Sequence, residues 1–169
     1  MSITTRVVQK IGDDISTDII YPGRFMATVL PTETPQYAFA DDEVFNKKLT
    51  KGEIPKGSTL VAGKNFGCGS SREQAASTLK GYELIIIARD FARIFLQNSI
   101  NLGLNTIICP GIEASPGDEL EITDNEVKNK TTGKAFPIQP LPKARQSIVD
   151  AGGLIPYTRK RLLEMHGKK

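Results

Sequence analysis

The chain has 169 residues, with 22 Lys and Arg against 19 Asp and Glu, so its formal net charge is only +3. This balance does not indicate nucleic acid or a membrane surface as a partner, and no apolar run approaches the roughly 20 residues of a membrane span. The length suffices for a hydrophobic core, and we expect a single domain over residues 1–169. The first residues lack the apolar segment of a secretion signal, from which we expect a cytoplasmic protein.

The first half of the chain predicts strands and helices that alternate. β-branched residues predict a strand over 5–11. Asp41 or Asp42 is suited to cap a helix that runs to residue 49. A short apolar segment at 58–62 predicts a second strand.

A glycine-rich turn joins this second strand to a helix predicted over 74–80. Residues 63–76 read GKNFGCGSSREQAA. Glycines allow close backbone approach, and the first N–H groups of a helix are unpaired and carry partial positive charge. Arg72 adds a planar cation that is suited to a carboxylate. The turn therefore predicts a binding site for a carboxylate.

The serines of the turn are spaced for helix capping. Ser70 with Glu73, or Ser71 with Gln74, would form a capping box. We expect one serine to cap the helix while the other hydroxyl stays free.

The sequence of this turn does not match either of two common nucleotide-binding motifs. A P-loop ends in Gly-Lys-Ser/Thr, whereas Gly69 is followed by serine and Lys64 comes too early. The dinucleotide motif requires a third glycine, which does not follow Gly67 and Gly69. An ordinary strand-to-helix loop with a capped helix remains an alternative on the pattern alone.

The pattern of strand and helix continues after the turn. Residues 83–88 are almost continuously apolar, which predicts a strand buried on both faces. Asp90 is expected to cap a helix over 91–98, and a further buried strand is predicted over 105–109. This order of elements favours right-handed parallel crossovers.

The last third of the chain has a different character. Segments 118–123, 126–128 and 134–138 alternate polar and apolar residues, which predicts an antiparallel meander with one solvated face. Two helices are predicted to follow, over 142–151 and 156–165.

Residues 63–76 resemble the signature of the swivelling domain of the aconitase superfamily. More narrowly, they resemble the separate small subunits of 3-isopropylmalate dehydratase and homoaconitase. Segments 14–22 (DISTDIIYP), 90–103 (DFARIF, then NSINLG) and 151–154 (AGGL) agree with this family in the same order. The resemblance covers nearly the whole chain. It implies an α/β fold made of one swivelling β/β/α domain, with a partly parallel sheet, a C-terminal antiparallel meander and helices.

The resemblance also implies an activity and its residues. The family isomerises a 2-hydroxy dicarboxylic acid by removing water and adding it back one carbon away. Ser70 matches the catalytic base, while Gly69, Ser71 and Arg72 match positions that bind a substrate carboxylate. Asp18 matches an aspartate near the active site, and bracing a turn is the alternative role for it.

One loop bears on the substrate. Homoaconitase-like relatives carry Arg or Lys at the position of Ala27, whereas relatives that act on isopropylmalate carry an apolar residue there. Burying an unpaired carboxylate costs several kcal/mol, so Ala27 favours an apolar substituent and hence 3-isopropylmalate, a substrate of leucine biosynthesis. Arg24 could compensate an extra charge, and core packing is the alternative role for Phe25 and Met26. The whole matched loop is Phe25, Met26, Ala27 and Thr28.

The family reaction needs a Lewis acid for the departing hydroxyl, which is a [4Fe–4S] cluster in the relatives. Such clusters are held by Cys thiolates, and the two cysteines, Cys68 and Cys109, are too few. The single histidine, His166, lies near the end of the sequence, so this chain cannot assemble a hydrolase triad or a His-based metal site. The resemblance thus implies a large subunit that carries the cluster, in a heterodimer or heterotetramer, and no activity of this chain alone.

Two other functions stay open at this point. One is a homoaconitase or dimethylmalate dehydratase-type small subunit, which keeps the chemistry and changes the acid. The other is a non-catalytic module that binds a carboxylate with the same turn.

Overall fold

The computed structural model describes residues 2–167. Met1, Lys168 and Lys169 lie outside the described residues. The single domain predicted over 1–169 includes all three of them, and the segment considered for a secretion signal includes Met1. Within residues 2–167, the strands are β1 (Ile3–Lys10), β2 (Thr59–Ala62), β3 (Ile85–Ala88), β4 (Asn105–Ile108), β5 (Glu119–Ile122), β6 (Glu126–Asn129) and β7 (Ala135–Pro137).

These strands form one sheet in the order β4-β3-β2-β1-β5-β6-β7. The neighbours from β1 to β4 pair in parallel. From β1 through β5 and β6 to β7 the pairing is antiparallel. The predicted mixture of a parallel half and an antiparallel meander is therefore confirmed, and β1 is the strand that joins the two halves.

Six α-helices accompany the sheet in the described residues: α1 (Thr17–Ile20), α2 (Glu43–Thr50), α3 (Glu73–Gly81), α4 (Arg93–Leu102), α5 (Lys143–Asp150) and α6 (Leu154–His166). Short 3-10 turns lie at Gly23–Phe25 and Thr34–Tyr37. No helix in residues 2–167 is long and apolar enough to cross a membrane.

Side chains of the parallel strands alternate between two cores. Leu60 and Ile86 belong to the core beneath α2, α3 and α4, whereas Val61, Ile85 and Ile87 face the core beneath the meander. Successive residues of a strand point to opposite faces, and both faces are covered here. The almost continuous apolar run at 83–88 is thereby explained.

Two helix starts differ in how they are capped. The predicted cap of α2 is confirmed for Asp42, whose Oδ1 accepts a hydrogen bond from the Phe45 N–H at 3.0 Å. The predicted cap at Asp90 is wrong, because α4 begins after Ala92 and has no side-chain cap. Asp90 Oδ1 instead accepts from the Asn65 N–H at 2.6 Å, so this carboxylate braces the glycine-rich turn.

Candidate functional site

The glycine-rich turn follows the carboxyl end of β2, which is where parallel α/β sheets usually bind ligands. It runs beside a second segment of the chain, 15–17. The Gly67 N–H donates to Ile15 O and the Thr17 N–H donates to Cys68 O, both at 2.8 Å. On the other flank, Phe66 forms a parallel bridge with Phe91. The turn is thus held on both sides by backbone hydrogen bonds.

Two glycines give the turn its shape. Gly67 and Gly69 have φ angles of +83° and +92°, in the left-handed region where side chains are strained. A Cβ at Gly67 would lie 2.7 Å from Cδ2 of Phe95, which is closer than van der Waals contact allows. The glycine therefore lets α4 pack directly against the turn.

Ser70 is an exposed residue of this turn. Its Oγ is 3.0 Å from Oγ1 of Thr17, a buried residue. Thr17 Oγ1 also lies 3.1 Å from Ser70 O, where it donates a hydrogen bond. Thr17 was not predicted as a site residue, although it lies in the matched segment 14–22 beside Asp18. It fixes both the backbone and the hydroxyl of Ser70.

The predicted capping boxes are absent. The N-cap of α3 is Arg72, and no side chain caps this helix. The serines lie one and two positions before the N-cap, so their hydroxyls are displaced from the N–H groups that a capping residue reaches. The expectation that one serine is used as a cap is wrong, and neither the Ser70 nor the Ser71 hydroxyl caps the start of α3.

Arg72 ends the turn as the N-cap residue of α3, and only 16% of its side chain is exposed. Its Nη1 donates to Asp18 Oδ1 at 2.6 Å and to Tyr21 O at 3.2 Å. Its Nε is buried and has no hydrogen-bond partner among the described residues. The guanidinium is therefore fixed in place by its Nη1 contacts.

The bracing role that the sequence left open for Asp18 is observed. Its Oδ1 accepts from the Gly23 N–H at 2.8 Å, which braces the turn after α1, and its match to an aspartate near the active site stays a prediction. Two hydrogen bonds, the larger effect from Arg72 and the smaller from the Gly23 N–H, hold the pKa of the Asp18 carboxyl below its usual value. A Cβ at Gly23 would lie 3.2 Å from both Arg72 Nη2 and Asp18 Oδ1, so the pair leaves little space at this position.

The matched loop 25–28 lies next to the first turn of α3. Gln74 Nε2 donates to Met26 O at 3.3 Å. Met26 is 49% exposed, which argues against core packing for its side chain. Phe25 is half-buried and stacks on Tyr37 with ring centroids 4.1 Å apart, so the packing role is observed for Phe25. Ala27 is exposed and Thr28 is half-buried.

Arg24 is already paired. Its two terminal nitrogens donate to the Asp41 carboxylate at 3.3 and 2.5 Å, and its Cζ lies 4.6 Å above the centre of the Phe25 ring. These hydrogen bonds lower the pKa of Asp41. To compensate an extra substrate carboxylate, Arg24 would have to leave Asp41.

The described residues contain no group of three or more His, Cys, Asp or Glu that could hold a metal ion. Cys109 is buried, and burial raises the pKa of its thiol to about 11. Cys68 is half-buried in the turn. These two thiols do not fit the ligand set of an iron–sulfur cluster.

Comparisons with known proteins agree with the sequence motifs. Residues 40–110 match the family described as the aconitase C-terminal domain. The chain is 44% identical to the isopropylmalate/citramalate isomerase small subunit of Methanocaldococcus jannaschii, over 96% of this chain and 98% of the relative. It is 42% identical to the 3-isopropylmalate dehydratase small subunit of Methanosarcina acetivorans, over 92% and 96%.

A solved structure agrees over the full length. The crystal structure of 3-isopropylmalate dehydratase (leuD) from Methanocaldococcus jannaschii matches 100% of both chains with a TM-score of 0.89 and 39% identity. The resemblance inferred from the motifs is confirmed by these comparisons.

Proposed function

The chain belongs to the family of 3-isopropylmalate dehydratase small subunits, and we propose from this premise that it is half of a hydro-lyase of leucine biosynthesis. The complex would move the hydroxyl of 3-isopropylmalate to the neighbouring carbon by dehydration and rehydration. The observation that carries the proposal is Ser70, an exposed residue two positions before the N-cap of α3, whose Oγ lies 3.0 Å from the hydroxyl of the buried Thr17.

Ser70 acts as the catalytic base in this proposal. Dehydration requires loss of a proton from a carbon beside a carboxylate, and Ser70 Oγ takes that proton as an alkoxide. An alkoxide is strongly disfavoured in water and needs oriented dipoles and a cation around it. The start of α3 and Arg72 supply these, and the Thr17 hydroxyl, 3.0 Å from Ser70 Oγ, orients the base.

Gly69, Ser71 and Arg72 bind the substrate carboxylate that gains charge as the proton leaves. Asp18 and Tyr21 O occupy Nη1 of Arg72, and in this proposal the rest of the guanidinium is left for the substrate carboxylate. Gly69 has room above its backbone, since a Cβ there would approach no atom closer than 3.7 Å. The substrate carboxylate is then held by charge-assisted hydrogen bonds from the Arg72 guanidinium, which are stronger than hydrogen bonds between neutral groups.

A large subunit completes the enzyme. The described residues of this chain offer no ligand set for a [4Fe–4S] cluster, so we propose that the large subunit carries it, and that the cluster supplies the Lewis acid which the departing hydroxyl requires. A location of the complex in the cytoplasm stays a prediction.

The loop 25–28 favours a substrate with an apolar end. Ala27 offers no charge for a third carboxylate, and Arg24 is engaged with Asp41. Citramalate is the second candidate substrate, because the 44% identical relative is named an isopropylmalate/citramalate isomerase small subunit. Both acids present an alkyl group where homocitrate-type acids carry another carboxylate.

The test is turnover of 3-isopropylmalate by this chain combined with its large subunit. We expect no turnover by either chain alone. In the complex, Ser70→Ala should lower kcat by about 10²- to 10⁴-fold, the usual contribution of a positioned general base. Ser71→Ala, at the neighbouring residue, should mainly raise KM.

The alternative of a non-catalytic module makes the opposite prediction. If Ser70→Ala weakens substrate binding but leaves the turnover of bound substrate unchanged, Ser70 is not the base. Appreciable turnover by the isolated chain would reject the need for a partner.

A further inference from the structure

Tyr21 connects the loop 25–28 to the guanidinium of Arg72. Its side chain is fully buried at 0% exposure. Its hydroxyl lies within hydrogen-bond distance of two carbonyls, Phe25 O at 3.1 Å and Thr28 O at 3.3 Å. Its own carbonyl accepts from Arg72 Nη1 at 3.2 Å. The side chain of Tyr21 therefore contacts both ends of the loop, and its backbone carbonyl contacts Arg72.

The rest of the loop is only weakly tied down. The Thr28 N–H closes it by donating to Phe25 O at 2.9 Å, and the half-buried Gln74 donates to Met26 O at 3.3 Å in an exposed hydrogen bond. The side chains of Met26 and Ala27 are exposed. The conformation of these two residues thus depends on the hydroxyl that fixes the carbonyls on either side of them.

The ring and the hydroxyl of Tyr21 have separable roles. The ring packs edge-on against Phe25 and Tyr37, with centroids 6.5 and 6.1 Å away, and phenylalanine would preserve both contacts. Burial raises the pKa of the Tyr21 hydroxyl, so it stays a donor across the working pH range. Without the hydroxyl, Thr28 O would lose this donor and Phe25 O would keep the N–H of Thr28, so the loop would be held less firmly.

We infer that Tyr21 is a positioning residue for substrate discrimination: its hydroxyl fixes the loop 25–28 against the start of α3 and so sets the space for the alkyl end of the substrate. The inference rests on the proposed function. It predicts that the hydroxyl affects substrate binding and the choice between acids, while the proton transfer at Ser70 is largely independent of it.

Tyr82 provides a matched control. It sits at the other end of α3, half-buried, and its hydroxyl donates to Pro35 O at 2.8 Å. Burial also raises the pKa of this tyrosine. Tyr21→Phe and Tyr82→Phe therefore each remove one phenolic oxygen that is bonded to backbone, and only Tyr21 contacts the loop.

The experiment compares both variants with the natural chain in the complex with the large subunit, using 3-isopropylmalate and citramalate. For Tyr21→Phe we expect KM for 3-isopropylmalate to rise about 2- to 10-fold, the effect of one lost hydrogen bond. We expect kcat within about twofold of the natural value and a changed ratio of kcat/KM between the two acids. Tyr82→Phe should leave KM and this ratio unchanged, with a loss of thermal stability similar to that of Tyr21→Phe.

Unchanged KM and an unchanged ratio in Tyr21→Phe would overturn the inference, as would an equal change in Tyr82→Phe. If Ser70→Ala abolishes turnover while Tyr21→Phe behaves like the natural chain, this inference alone fails. A natural complex that converts neither acid would overturn the proposed function and this inference with it.

Discussion

Replacing Arg72 with lysine tests the proposal that Arg72 binds the substrate carboxylate, because the charge is kept and the planar fork is lost. In the structure Nη1 is occupied by Asp18 Oδ1 at 2.6 Å and Tyr21 O at 3.2 Å. A lysine ammonium is a single compact charge on a flexible stem. It can follow Asp18 or the substrate, and it cannot hold both in the geometry that the guanidinium imposes.

The expected loss follows from one charge-assisted hydrogen bond. Such a bond contributes about 1.5–3 kcal/mol, and every 1.4 kcal/mol or so corresponds to a tenfold change in rate. We therefore expect kcat/KM of the Arg72→Lys complex to fall about 10- to 150-fold. Part of this loss should appear in kcat, since the carboxylate gains charge as the proton leaves.

The assay is steady-state turnover of 3-isopropylmalate by the reconstituted complex, with urea unfolding of each isolated small subunit to confirm that the variant is folded. Arg145→Lys, at an exposed arginine on α5, is the control and should match the natural kinetics. If Arg72→Lys also keeps the natural kcat/KM while folded, Arg72 does not bind the substrate carboxylate, and the reasoning from its fixed geometry is wrong.

Three further predictions concern charges and thiols. Asp41→Asn removes the charged partner of Arg24, so the complex should gain activity on homocitrate-type acids relative to 3-isopropylmalate; a constant ratio of kcat/KM would contradict this. Burial raises the pKa of the Cys109 thiol to about 11, against an ordinary value of 9.0. Between these two pH values the folded chain keeps the thiol proton and the unfolded chain loses it. The free energy of unfolding should therefore decrease as pH rises from 9 towards 11. Cys109→Ala should flatten this decrease. At pH 8 a thiol reagent should modify the half-buried Cys68 before Cys109, and equal rates in the native chain would refute the burial argument.

The sheet could be predicted because its signals are local. The buried run of β3 and the alternation in β5 and β6 follow from neighbouring residues alone, and the glycine-rich turn follows from a long and specific motif. Helix ends were less predictable. Aspartate is a common N-cap residue, but the carboxylate of Asp90 accepts from the backbone N–H of Asn65 instead. These two residues come close together only in the folded chain.

The contacts that shape the site were also beyond the sequence pattern. Thr17 reaches Ser70 and Arg24 reaches Asp41 across separate segments, so no spacing rule identifies either pair. These partners change the interpretation of two residues: Ser70 has an orienting hydroxyl, and Arg24 is already paired with a carboxylate.

The central place of β1 in the sheet has a consequence for how the chain is made. β1 leaves the ribosome before all the other strands, yet Ile3 pairs with Ile122 on β5. Until that distant segment has been synthesised, one side of β1 exposes unpaired amides and carbonyls to other nascent chains. Contacts so far apart in sequence also form slowly. We therefore expect the closing of β5 onto β1 to limit the rate of refolding, and aggregation to compete with it at that step.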